Sequence, residues 1–220
     1  PSEFMAALLT SVLDNTDKII EYSGECARLG IKVLPPDVNI SNGGFTADNG
    51  KIRFGLNAVK NVGRNLIERV VEERKEKPYS SLYDFCKRMH GTELNRRAVE
   101  CLIKAGAFDS MGVNRHSLVE AVDGIIKSVE SDSRRNLEGQ LDLFSVMSGE
   151  SQTADTDSYE IRPFPEYSHT ELLQQEKEVS GLYLSGHPLD AYREQSARFA
   201  SNSIKELTGE DAHKLDGNHV

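Results

Sequence analysis

The sequence is poor in the patterns that hold metals or run redox chemistry. Its three cysteines, Cys26, Cys86 and Cys101, are far apart and odd in number, with no CxxC pair and no cysteine–histidine spacing that builds a zinc site. They read as small buried apolar residues in a reducing compartment, and no metal site is expected. The six histidines are scattered, and a lone histidine is more often a surface or satisfied core residue than a ligand. No apolar run approaches the roughly 20 residues of a membrane span, and no basic-then-apolar leader opens the chain, so the expected location is the cytoplasm and no membrane partner is expected. Nucleophile and phosphate-loop patterns are missing too, so no catalytic residue is assigned and a self-contained enzyme finds no support.

What is present is an ordinary globular composition, 38% hydrophobic and 28% charged, with an uneven charge. The formal net charge of −9 argues against nucleic acid until it is divided along the chain. Residues 51–115 hold 14 Lys+Arg against 8 Asp+Glu, a net of +6; the remainder holds 12 against 27, a net of −15. A basic block inside an acidic chain creates a local field suited to phosphates. The alternative is that these basic residues decorate helix faces.

Within that block lies LNAVKNVGRNLIERVV, residues 56–71. Leu56, Val59 and Val62, then Leu66, Ile67, Val70 and Val71, have helical spacing on both sides of a turn at Val62-Gly63. Gly63 can take backbone angles closed to other residues and bring successive N–H groups near a ligand. Those groups also open the second helix, where its dipole favours an anion. The stretch resembles a helix-hairpin-helix motif, which grips nucleic-acid phosphates without reading bases. One departure is Asn61, where the motif usually has glycine; asparagine tolerates left-handed geometry. An ordinary helical hairpin with a glycine turn is the competing reading.

A second, diverged hairpin is expected around Ala105-Gly106-Ala107-Phe108, between a helix carrying Ala98, Leu102 and Ile103 and another over residues 113–126. Packed together, the two would form a compact five-helix unit with paired turns. The candidate DNA-backbone residues are therefore Lys60, Asn61, Val62, Gly63, Arg64 and Asn65 in the first turn, and Lys104, Ala105, Gly106, Ala107, Phe108 and Arg115 in the second. A structural or protein-interaction module without DNA contact is the alternative.

Elsewhere, Asp14 is expected to cap a helix packed through Ile19, Ile20, Ser23, Cys26 and Ala27 and ended by Gly30. Prolines exclude helix at LPPDVN, residues 34–39, and Asp48-Asn49-Gly50 predicts a β-hairpin. Pro78 stops the helix that follows the first turn, and Ser80-Ser81 start the next. From residue 128 to about 167 the polar composition predicts a flexible linker. It carries one apolar island, Gln140-Leu141-Asp142-Leu143-Phe144, which either docks into a partner's pocket as an extended peptide or folds back on the core. A polar helix over residues 170–179 and weak helical spacing through Tyr192 and Phe199 follow. The fold expected is mainly α, with one small β-hairpin.

Several stretches together resemble the C-family of bacterial replicative polymerases, the alpha subunits of DNA polymerase III: PSEFMAALLTSVLDNTDK, VLPPDVN, FGLNAVKNVG, LNRRAVECLIKAGAFDSMG, GQLDLF and GLYLSGHPLDAY. They occur in the family's order over essentially the whole chain. The resemblance implies that residues 1–45 end a fingers region and that 46–127 form a tandem helix-hairpin-helix domain on primer-template duplex. By the same token, 128–167 are a linker carrying the sliding-clamp (beta subunit) motif at 140–144, and 168–220 lead towards an OB-fold domain. Gln140 would be the polar anchor, with Leu143 and Phe144 filling the clamp pocket. The implied reaction is templated addition of deoxynucleotides, with magnesium ions held by palm aspartates. Those aspartates lie upstream of the matching stretches, so this chain is expected to be a non-catalytic piece that needs no cofactor of its own and meets other replicase subunits in the full-length protein.

Overall fold

The structure, a computed structural model, describes residues 1–137 and 159–192. It divides into a unit of Pro1–Ser185 and a second unit of Gly186–Val220. Of the second, a single 3-10 turn at Asp190–Tyr192 is described, with the His187 N–H donating to Asp190 Oδ2 at 2.7 Å.

In the first unit, Asn49 and Gly50 take left-handed backbone angles, φ 50° and 76°, the geometry of a two-residue hairpin turn whose twist matches its strands. They join β2 (Thr46–Asp48) to β3 (Lys51–Arg53), with Asp48 opposite Lys51. The expected hairpin is thus extended by a third strand. The residues just before the two prolines form β1 (Val33–Leu34), which pairs parallel with β3 to give the order β1-β3-β2. Ile52 and Phe54 are buried, and Phe54 meets Phe45 edge-on at 4.9 Å between ring centres.

Two helices precede this sheet, α1 (Ser2–Ser11) and α2 (Thr16–Arg28). The residue capping α2 is Asn15, whose side chain accepts from the Lys18 N–H, and not its neighbour Asp14. Gly30 ends the helix at φ 73°, as C′ glycines do. Its packing face runs through Ile19, Tyr22, Ser23 and Cys26, the i, i+3, i+4, i+7 stripe; Ile20 and Ala27, expected on that face, point outward.

The remaining helices are α3 (Arg64–Glu73), α4 (Leu82–Arg88), α5 (Arg96–Lys104), α6 (Arg115–Leu137) and α7 (His169–Ser180). Side chains cap α4 (Ser81), α5 (Asn95), α6 (Asn114) and α7, where Ser168 and Glu171 form a reciprocal capping box. A single buried cluster joins the sheet to α1–α7, with Phe85 edge-on to both Tyr79 and Phe108. All three cysteines are free and buried, and burial pushes the Cys86 thiol up to about 12. No helix among the described residues is long and apolar enough to cross a membrane.

The helix α6 continues through Leu137, beyond residue 128 where the polar composition begins. Its extension is held by buried Val129 and by the Tyr83 hydroxyl, which donates to Asp132 at 2.7 Å. Residues 159–167, also expected in the linker, run back along the same helix. Tyr159 stacks on Tyr83, and Phe164 exchanges hydrogen bonds with Asn114 and Ser117. Composition concealed this because a few apolar residues suffice to dock an extended strap.

One buried charge cluster ties the second hairpin to the end of the unit. Arg115 grips Asp109 with two nitrogens, at 2.9 and 2.6 Å, and donates through Nη1 to Lys104 O and to Glu176 Oε1, both at 3.1 Å. Glu176 is fully buried; its other oxygen accepts the N–H groups of Leu184 and Ser185 at 2.8 and 3.0 Å. Burial alone would lower the Arg115 pKa, but its hydrogen bonds to Asp109 and the charges of Asp109 and Glu176 outweigh that, and the net shift is upward. Glu176→Ala leaves Arg115 paired with Asp109 alone and takes the acceptor from the Leu184 and Ser185 N–H groups, so it is expected to destabilise the chain by about 2–4 kcal/mol, read as a fall in the urea unfolding midpoint.

Candidate nucleic-acid interface

The first candidate turn starts from a backbone drawn in two directions. Leu56 N–H donates to Asn42 O and Asn57 N–H to Gly43 O, while Lys60 N–H donates to Val179 O at the end of α7. With its donors engaged across the fold, the stretch before the turn makes one 3-10 turn, Leu56–Ala58, and not the helix that the spacing of Leu56, Val59 and Val62 predicts. Leu56 and Val59 are buried nonetheless, so the apolar pattern marks burial rather than helix.

The left-handed residue of this turn is Asn61, at φ 62°. Gly63, expected to need an angle forbidden to other residues, lies at φ −72°, ψ 143°, ordinary extended backbone. The departure noted in the sequence therefore sits where the chain bends, and asparagine is the side chain that best tolerates it. Gly63 instead serves as the N-cap of α3. A Cβ there would come within 3.2 Å of Glu93 Oε2.

The start of α3 is left uncapped. No side chain caps it and no acidic residue lies in its first turn. Of the described helices α1–α7, only α1 shares the lack of a side-chain cap, and α1 carries Glu3 in its first turn. A helix start of this kind has N–H groups without intrahelical partners and the positive end of a dipole, the elements of an anion seat. Around it, Arg64 donates through one nitrogen to both oxygens of Asp14, at 2.6 and 2.7 Å, and Asn65 Nδ2 donates to Glu93 Oε1 at 3.0 Å. Lys60 Nζ donates to Glu178 O at 2.9 Å, and Val62 is half-buried.

The second candidate turn is built differently. Gly106 takes φ 85°, and the N–H groups of Gly106 and Ala107 return to Ile103 O and Leu102 O, both at 2.9 Å. This is the Schellman ending of α5. Ala105, Ala107 and Phe108 are fully buried, Ala107 O accepts from Val38 N–H, and a Cβ on Gly106 would run into the Arg115 guanidinium. Arg115 is held in its buried charge cluster and Lys104 lies 3.6 Å from Glu178. Residues 104–108 and Arg115, expected to support phosphate contacts, are thus helix-end and core structure. The corresponding helix start, at α6, is closed by Glu166, which accepts the N–H groups of Arg115 and His116 at 2.9 and 3.1 Å.

The structure therefore brings residues 60–65 together as one open turn and leaves the second turn inside the fold. Sequence reasoning missed Asp14, Glu93 and Glu166, each distant along the chain from the helix end it serves. The motif at 140–144 lies outside the described residues. Among the described residues, no cluster of three or more His, Cys, Asp or Glu could hold a metal ion.

The left-handed angle at Asn61 penalises any replacement that carries a Cβ and lacks asparagine's tolerance. Asn61→Ala is expected to lower stability by about 1 kcal/mol through backbone strain, whereas Asn61→Gly leaves it unchanged or higher; thermal unfolding of the pair separates strain from loss of the amide.

Comparison with known proteins agrees with this geometry. Residues 30–118 match the helix-hairpin-helix motif family. The chain is 42% identical over 213 residues to the DNA polymerase III subunit alpha of Saccharopolyspora erythraea, covering 95% of this chain and 18% of that protein. The Haemophilus influenzae subunit is 37% identical over 209 residues, covering 94% and 18%, and that of Borreliella burgdorferi 40% over 205, covering 93% and 18%. The chain thus spans less than a fifth of the length of these relatives. It belongs with the DNA polymerase III alpha subunits, as the counterpart of one segment of them that carries a helix-hairpin-helix motif.

Proposed function

We propose that the chain is the duplex-holding segment of a DNA-directed DNA polymerase of chromosomal replication, acting on primer-template DNA without reading its sequence. The observation that carries this reading is the bare start of α3 beneath the Asn61–Gly63 bend, inside the span that matches the helix-hairpin-helix family. A backbone phosphate seated there meets the N–H groups at residues 63–65, with Lys60 and Arg64 supplying positive charge nearby. Template-directed nucleotide addition, with its magnesium ions, falls to parts of the parent polymerase outside these 220 residues, and the chain alone is inactive in synthesis. Its place of work is the bacterial cytoplasm, among the other replicase subunits.

One observation favours a second reading, a helical interaction module without DNA contact: Arg64, Lys104 and Arg115 all pair with acidic side chains of the protein itself. Titration of the chain with fluorescent primer-template duplex decides between them. On the duplex-holding reading, affinity falls steadily as salt rises. Gly63→Asp, which places a carboxylate at the phosphate seat, weakens binding at least roughly tenfold without unfolding the chain. Affinity indifferent to both salt and Gly63→Asp would favour the interaction module instead.

The apolar island Gln140-Leu141-Asp142-Leu143-Phe144 supports a further role as a tether to the sliding clamp. Leu143 and Phe144 are large apolar residues set in polar sequence, and burial in a partner's pocket would favour them. The double variant Leu143→Ala, Phe144→Ala is expected to lose clamp binding in a pull-down or surface-binding assay while its circular dichroism stays that of the parent chain.

A further inference from the structure

The open turn at residues 60–65 is framed by two carboxylates that arrive from different parts of the chain. Asp14, in the link between α1 and α2, takes both of its oxygens to one nitrogen of Arg64, at 2.6 and 2.7 Å. Glu93, in the link between α4 and α5, bonds Asn65 through one oxygen, while its other oxygen lies 3.2 Å from where a Gly63 Cβ would be. Neither carboxylate is needed to fill space. The side chains of Asp14 and Arg64 are 86% and 61% exposed, Glu93 is exposed, and α3 is secured by buried Leu66, Ile67 and Val70 on its opposite side.

We propose that Asp14 and Glu93 act as displaceable stand-ins for phosphate, holding the turn in a self-neutralised state that sets how weakly it grips DNA. This rests on the duplex-holding reading above and deepens it by naming what the phosphates must displace. Asp14 occupies the guanidinium that would otherwise reach a phosphate, and Glu93 puts negative charge beside the start of α3. A phosphate entering the seat meets repulsion from Glu93 and must exchange with Asp14 for Arg64. Both costs act only on bound DNA, since exposed ion pairs of this kind contribute little to folding stability. The contrast with α6 supports the assignment. There Glu166 accepts two main-chain N–H groups directly and closes the helix start, whereas Glu93 bonds a side-chain amide and leaves the N–H groups of α3 uncapped. One end is shut by its carboxylate and the other merely guarded.

The test compares Asp14→Asn, Glu93→Gln and Gly63→Asp in the whole chain, by duplex titration over a range of salt concentrations. Both amide substitutions nearly preserve shape and keep an oxygen acceptor, and circular dichroism checks that each variant stays folded. Asp14→Asn and Glu93→Gln are each expected to tighten binding roughly three- to tenfold at low salt, with the gain fading as salt screens the charges. Asp14→Asn should in addition steepen the dependence of log affinity on log salt by about one, as the freed Arg64 neutralises one more phosphate. If both leave affinity within about twofold of the parent while Gly63→Asp still weakens it, the stand-in proposal is overturned and the duplex-holding reading survives. If Gly63→Asp is also without effect, the duplex-holding reading fails and this proposal with it.

Discussion

Much of the unit is organised around one unpaired-charge problem and its solution. An arginine placed at the first position of α6, inside the fold, must find acceptors or disrupt the core, and Arg115 finds them on three elements at once: Asp109 in the preceding 3-10 turn, the Lys104 carbonyl at the end of α5, and Glu176 on α7. Glu176 in turn gathers the main chain at Leu184 and Ser185. Buried ion pairs are weak contributors to net stability compared with apolar packing. Their effect here is directional, because Arg115 and Glu176 tie α7 to the end of α5 and the start of α6 through bonds of fixed geometry. The position of α7 then fixes the neighbouring turn, because Lys60 donates both its main-chain and side-chain hydrogens to carbonyls at the end of α7.

The two hairpins have thereby diverged in use. Both present a turn followed by a helix start, but the second is consumed by structure: its glycine closes α5, its arginine holds α7, and its helix start is satisfied by Glu166. The first keeps its helix start bare. A pair of similar motifs, one internal and one open, gives a rigid base beneath a single polar opening.

What could be read from the sequence follows from how local the deciding interactions are. The Asn49-Gly50 hairpin, the Ser81 cap, the Gly30 helix end and the buried cysteines all depend on residues within a few positions, and each was legible. The α2 cap falls one residue later than expected because Asp14 and Asn15 are both good caps by type, and the local sequence does not show that Asp14 is bonded to Arg64, fifty residues away. The first limb of the hairpin reads as helix in the sequence because buried residues three apart also occur in chain held by cross-fold hydrogen bonds. Arg115 reads as a phosphate ligand because its burial depends on Glu176, 61 residues downstream, and its nearer partner Asp109 cannot by itself be told from a surface carboxylate in the sequence. The docked strap at 159–167 was hidden in a composition that averages a few apolar contacts into many polar neighbours.

That strap has a geometric consequence for α7. At its start Tyr159 packs beside Gly124 on α6, and near its end Glu166 binds the first N–H groups of the same helix. The segment that leads into α7 is therefore fastened to α6 at two points, and Glu176 holds α7 farther along. With α7 pinned in both places, the carbonyls of Glu178 and Val179 that receive Lys60 are a fixed anvil for the turn at residues 60–65, set by α6 and not by the turn itself.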